Sequence, residues 1–205
     1  MTPSALRRAT DRLLELPFVY RAWQAPFVSA KLKPFLAEIR SRQVGRVLDV
    51  GCGPGTNAQV FGGADYVGID INPDYIRKAS SRYPGRWVVG DVTDDRIFPN
   101  EQFDCVFANS LLHHLDDRSV RDLLGRMARL TASGGRVHVL DLVLPANASA
   151  GRLLARMDRG RFARPIDEWR ALFSEHLREE RFQPYAFGLP FVPLWQMVYF
   201  VGVPK

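Results

Sequence analysis

The sequence predicts an α/β fold, a doubly wound and mostly parallel sheet with helices on both faces. Three observations carry this expectation. Five short runs of nearly continuous Val, Ile, Leu and Phe recur along the middle of the chain, as strands buried on both faces require. Helix-like stretches at 74–83 and 118–131 separate several of them, and alternation of strand with helix implies parallel pairing. The first run opens directly into a loop with three glycines at alternate positions, Gly51, Gly53 and Gly55.

The elements follow in order. Leu6, Leu13, Leu14, Leu16, Phe18, Val19 and Trp23 recur at near-helical spacing, broken by Pro17 and Pro26. A second helix is expected over 27–41, so residues 1–43 read as an N-terminal helical cap. Strands are expected at 46–51, 66–71, 86–91, 103–109 and 136–143. Residues 167–176 read as a helix with Asp167 as its cap. Two aromatic and β-branched runs, 181–189 and 194–203, flank Gly188, Pro190 and Pro193 and read as a hairpin. The main domain spans 44–205, with 145–165 as an insertion that belongs to the cap.

Composition narrows the class. The chain has 205 residues, enough for one domain with a small cap, and its 46% apolar and 24% charged residues are ordinary globular usage. Two cysteines, Cys52 and Cys105, cannot supply a disulfide framework or a four-thiolate zinc site. The opening residues are polar and charged, and the longest apolar stretch, 189–204, falls short of the roughly 20 residues a spanning helix needs. A soluble, cytoplasmic protein is expected. The net charge of +6 is uneven: residues 1–46 carry nine basic and three acidic side chains, while 47–150 carry ten and thirteen. A basic arm suits RNA, an anionic substrate or a peripheral membrane contact, but no separate RNA-binding module is visible. Arg outnumbers Lys by 24 to 4, which fits a solvated surface in an arginine-rich proteome.

The chemistry concentrates in 47–57, Val-Leu-Asp-Val-Gly-Cys-Gly-Pro-Gly-Thr-Asn. Glycines there allow positive φ and close approach of a ligand to the backbone. A following helix would present free N–H groups and a positive dipole end. Thr56 stands where the dinucleotide fingerprint needs glycine, and no G-K-[ST] follows, so neither a dinucleotide site nor a P-loop is indicated. Asp70 ends the second strand, where a carboxylate accepts from a ribose diol. Asp91 ends the third, where it can accept from an exocyclic amine. The fourth ends in Asn109-Ser110 and runs on to His113 and His114. All of these lie at carboxyl ends of strands, where open sheets bind ligands.

On those residues the sequence resembles the class I S-adenosylmethionine-dependent methyltransferases, and within them the small-molecule enzymes of methyltransferase type 11/12. The likeness covers 44–145 in order and spacing, and the tail hairpin matches that family's last two strands. It implies a Rossmann-like sheet of seven strands with the last antiparallel, and S-adenosylmethionine as cofactor. It implies that Asp49, Gly51, Cys52, Gly53 and Gly55 line the methionine end, that Asp70 binds the ribose, and that Ile71 packs on the adenine. Asp91 would accept from the adenine amine with Val92 beside the ring, and Asn109 would hold the methionine amine through its carbonyl.

Methyl transfer from a sulfonium is an in-line displacement that needs positioning above all, with a base where the nucleophile is a hydroxyl. His113 and His114 are the candidate bases, each weighed against a packing or capping role. Tyr20 and Trp23 are candidate acceptor contacts on the cap. The chain lacks the Asp/Asn-Pro-Pro-aromatic motif of base-amine methylation and the Pro-Cys pair of ring-carbon methylation. Asp141 with Asp116 or Asp117 makes a poor metal set, and no metal is expected. The expected function is methyl transfer to a small hydrophobic, aromatic or acidic molecule. The alternatives are an RNA methyltransferase using the basic arm and a non-catalytic binder of the cofactor.

Overall fold

The computed structural model describes residues 28–40, 44–157, 160–189 and 191–205. Among them, seven strands form one sheet in the order β3-β2-β1-β4-β5-β7-β6. The strands are β1 (Arg46–Val50), β2 (Asp65–Asp70), β3 (Arg86–Val89), β4 (Phe103–Asn109), β5 (Thr131–Leu142), β6 (Leu177–Leu189) and β7 (Val192–Pro204). The first five pair in parallel, and β7 runs antiparallel between β5 and β6. The helices are α1 (Val28–Arg40), α2 (Pro73–Ser80), α3 (Asp117–Leu130), α4 (Ala150–Met157) and α5 (Ile166–His176). The expected seven-stranded Rossmann-like architecture, with its last strand antiparallel, is the one observed.

Alternation along the strands sorts side chains to two faces. Leu48, Val50, Val106 and Ala108 join a cluster with Leu124 and Met127 of α3 and Trp169 and Phe173 of α5. Val47, Cys105 and Phe107 join Phe35 of α1, Phe61, Tyr66 and Tyr199 on the other face. Phe35 stacks on Phe107 with ring centres 4.4 Å apart. This burial fixes α1 on the sheet although Pro34 interrupts its hydrogen-bond ladder.

Several boundaries differ from the sequence expectation for identifiable reasons. β3 is short and only partly buried because it is an edge strand. β5 starts five residues before the expected Arg136, pairing Thr131 with Phe103 across an irregularity in the register. At the start of α5 the N-cap position is Pro165, without a side-chain cap, and Asp167 sits inside the first turn. After the glycine loop comes a 3₁₀ turn, Ala58–Phe61. The expected helix N-terminus with its dipole is therefore not at that place. Tyr20, Trp23 and most of the basic cap 1–43 lie outside the described residues.

Two buried arginines fix the loops that matter for the site. Arg126 of α3 donates to the carbonyl oxygens of Val92, Ile97 and Phe98, tying down the loop after β3. Arg164 donates to the carbonyls of Leu112 and Leu115 and pairs with Asp117 at 2.7 Å, tying down the loop after β4. Guanidinium groups suit this task because five donors in one plane satisfy several carbonyls at once.

Candidate functional site

β1 is where the strand order reverses, with β2 and β3 to one side and β4 and β5 to the other. Ligands of open sheets bind in the crevice at such a switch point, beyond the carboxyl ends of the strands. A cavity of about 980 Å³ lies there. Gly51 and Gly53, in the turn that leaves β1, have φ of +65° and +54°, a region L side chains rarely adopt. A Cβ at Gly51 would strike Leu111, while one at Gly53 would meet nothing within 4 Å.

Asp70 holds the turn in place. Its Oδ2 accepts from the Gly53 N–H at 2.9 Å and its Oδ1 from the Asn72 N–H at 2.8 Å. One carboxylate thus joins the glycine loop to the start of α2, where Asn72 caps the helix. Asp91 accepts from the N–H and hydroxyl of Thr93. Gly51, Gly53, Asp70, Ile71, Asp91, Val92 and Asn109 all line the cavity. Ile71 is 73% exposed, unusual for a residue of its size and apolarity.

Three residues assigned to the methionine end do not line the cavity. Cys52 is buried near the backbone of Gly68, and burial pushes its thiol up. Gly55 packs where a Cβ would collide with Trp87 and Ala79. Asp49 is fully buried and reaches the site through a neighbour. Its Oδ2 accepts from the Tyr66 hydroxyl at 2.6 Å and from Asn57 Nδ2 at 3.2 Å. The Asn57 Oδ1 accepts in turn from Asn109 Nδ2 at 3.2 Å, and Asn57 lines the cavity. Asp49 Oδ1 and Asn109 Oδ1 are buried without a hydrogen-bond partner. Burial, partly offset by Tyr66 and Asn57, raises Asp49 to about 7.

The loop after β4 carries the two histidines to the cavity wall. It leaves the strand through Ser110, whose φ is +53°. His113 is buried with Nδ1 2.6 Å from Asp141 Oδ1, while His114 is exposed and its ring packs 4.2 Å from that of His113. Asp141 also accepts from the N–H groups of Leu112 and Leu142, each at 2.7 Å. Burial alone would raise this carboxyl, but His113 and the two N–H groups together hold it below the usual range. Gly160 closes over the pair: a Cβ there would fall 1.9 Å from the His113 ring. Among the described residues, no group of three or more His, Cys, Asp and Glu side chains is arranged to hold a metal ion.

Sequence reasoning missed the far wall. Phe187 of β6 and Trp195 and Met197 of β7 line the cavity, with Leu142 of β5 and Lys31 of α1. The signal was present in the period-two spacing of Tyr185 with Phe187 and of Trp195 with Met197. It went unused because nothing in the sequence tells which face of a terminal hairpin meets a ligand. Asp141 was considered only as a metal ligand, and its pairing with His113 spans 28 residues.

Comparison with known proteins agrees with this geometry. Residues 47–135 match the methyltransferase domain family. An uncharacterised methyltransferase of Mycobacterium tuberculosis is 37% identical over 105 residues, 49% of this chain and 52% of that protein. The match therefore spans about half the length of that relative. O-methyltransferase resE of Aspergillus sclerotiorum is 30% identical over 183 residues, covering 80% of this chain and 68% of the relative. The crystal structure of a TehB-like SAM-dependent methyltransferase from Corynebacterium glutamicum has a TM-score of 0.66 at 20% identity, over 97% of this chain and 100% of that one. At that identity the likeness is one of fold.

Proposed function

Since this chain belongs to the S-adenosylmethionine-dependent methyltransferase family, we propose that it transfers a methyl group from S-adenosylmethionine to a small hydrophobic, aromatic or acidic molecule. The observation that carries the reading is the Asp70 carboxylate bound to the Gly53 N–H at the switch point of the sheet.

The residues present fit the cofactor. On the cavity wall, Asn109 Oδ1 is a buried acceptor without a partner and suits a donor such as an ammonium, because an unsatisfied buried acceptor is costly. The open space at Gly53 suits close approach of a ligand to the backbone. When bound, S-adenosylmethionine supplies an electrophilic methyl group whose leaving group is a neutral thioether. In this reading Gly51, Gly53 and Asn109 hold the amino-acid end, with Asn57 linking Asn109 to Asp49. Asp70 accepts from the ribose hydroxyls, and Ile71, Asp91 and Val92 frame the adenine. The chain contributes mainly by holding two reactants in line, which can supply much of the rate.

His113 is the candidate to take a proton from an acceptor hydroxyl. Asp141 orients its ring and would offset the positive charge that a proton brings. Calorimetry tests the reading. Binding of S-adenosylmethionine is expected for the native chain and lost in Asp70→Ala, with NAD as a non-binding control. A folded native chain that binds NAD and not S-adenosylmethionine would refute it.

A further inference from the structure

Four of the cavity-lining residues, Leu142, Phe187, Trp195 and Met197, belong to a small apolar cluster separate from the two that pack the faces of the sheet. This cluster is built by the hairpin and α4 and walls a cavity. Phe187 and Trp195 are directly paired across β6 and β7, and their rings stack with centres 5.5 Å apart and 21° between planes. Tyr185 continues the row, 6.3 Å from Phe187.

The row is held rigidly. A register irregularity falls between Phe187 and Gly188, and such irregularities re-aim side chains next to sites. At Gly188 a Cβ would come within 2.5 Å of the backbone across the hairpin, so the pinch depends on glycine. The Tyr185 hydroxyl donates to the Lys31 carbonyl oxygen at 2.7 Å, binding the hairpin to the helix that also faces the cavity.

Position and charge set this wall apart from the cofactor end. From β2, which carries Asp70, to β7 there are four steps across the sheet. At about 4.8 Å per step, that is roughly 19 Å. The carboxylates that line the cavity among the described residues, Asp70, Asp91 and Asp122, come from the end of β2, the turn after β3 and α3. From Phe182 to Pro204 the hairpin carries no Asp, Glu, Lys or Arg, and among the described residues the cation lining this end is Lys31.

We infer that the β6–β7 hairpin is the acceptor subsite, and that it takes a flat aromatic ring, neutral or anionic, which extends the Phe187–Trp195 stack. The inference rests on the methyltransferase reading and narrows its acceptor. A preformed aromatic pair rewards a planar guest through offset stacking, which a saturated ring of equal size cannot match. An aliphatic amine finds no carboxylate on the hairpin.

The test pairs aromatic with saturated probes on protein saturated with S-adenosylmethionine. 2-Naphthol and 4-hydroxybenzoate are compared with decahydro-2-naphthol and 4-hydroxycyclohexanecarboxylate, by calorimetry and by transfer of a labelled methyl group. At least one aromatic member is expected to bind about ten-fold tighter than its saturated partner. Trp195→Leu is expected to remove that preference and raise KM, with S-adenosylmethionine affinity unchanged, while Trp195→Phe retains most of it. Phe187→Leu provides an independent variant if Trp195→Leu does not fold. Equal affinity for aromatic and saturated partners, or a preference that survives Trp195→Leu, would overturn the subsite. Failure of the native chain to bind S-adenosylmethionine would instead sink the methyltransferase reading.

Discussion

Replacing Asp49 by Asn should change how stability depends on pH, and by a predictable amount. Asp49 is buried completely, one of its oxygens has no partner, and its carboxyl is raised to about 7. In the unfolded chain an Asp loses its proton near 3.9. Between those values the unfolded state binds fewer protons than the folded state, so this group lowers stability as pH rises. The cost is absent below pH 4 and complete above pH 7. Three units at 1.36 kcal/mol each give about 4 kcal/mol. For a chain of this size that corresponds to a shift of roughly 10 °C in Tm. Asn cannot ionise and escapes the cost, although its amide must rearrange against Tyr66 and Asn57. The measurement is urea unfolding of both proteins at pH 4, 5.5, 7 and 8. Whatever the difference at pH 4, the variant should gain about 4 kcal/mol on the native chain by pH 8. Titrating groups that do not interact with Asp49 are common to both and cancel. A difference that stays constant with pH would refute the reasoning and mean that Asp49 ionises normally in the fold.

Other perturbations follow from the same geometry. Gly160→Ala drives a methyl group into the His113 ring and to 2.7 Å from the His113 carbonyl oxygen, so a loss of about 1–3 kcal/mol is expected in urea unfolding. Asp141→Leu removes the acceptor of the Leu112 and Leu142 N–H groups, and each stranded donor costs about 1–3 kcal/mol. Because Asp141 is held below its usual range, its ionisation stabilises the fold above pH 4 and that part is lost as pH falls through its folded pKa. Acid titration of stability should therefore be shallower in Asp141→Leu than in the native chain. Trp169→Phe gives up the indole bond to the Leu142 carbonyl at 2.9 Å and leaves a void beside Phe173. A drop of about 2–3 kcal/mol is expected, read from thermal melts.

The features legible in the sequence were those encoded locally. β1, the glycine turn and Asp70 lie within 25 residues of each other, and each carries its own chemical signature. Parallel strands announced themselves because burial on both faces demands unbroken apolar runs. The turn after Asn57 was misread because a helix is the usual successor to such a loop, while here Phe61 is drawn into the aromatic cluster with Phe35 and Phe107, and the backbone closes as a 3₁₀ turn. Cys52 falls away from the cavity because adjacent residues in a turn point in different directions, and its side chain is the one turned inward. The Asp141–His113 pair was invisible because its residues lie 28 positions apart and meet only through the register of β4 and β5, and the hairpin wall was missed because its local spacing does not tell which face meets the cavity.

The position of β7 bears on how the molecule is made. It follows the other six described strands in sequence, yet it sits inside the sheet, paired with β5 on one side and β6 on the other. As the polypeptide emerges during synthesis, β1 to β5 can assemble while β5 still shows an open edge, with Val137, Val139 and Leu140 beside unpaired backbone groups. β6 emerges next, but its place in the sheet is one strand away from that edge. The nascent chain must therefore wait, with an adhesive border exposed, until β7 arrives and the hairpin can dock as a unit. A premature stop within β7 would strip out an interior strand and detach β6 with it, so the damage would reach deep into the sheet.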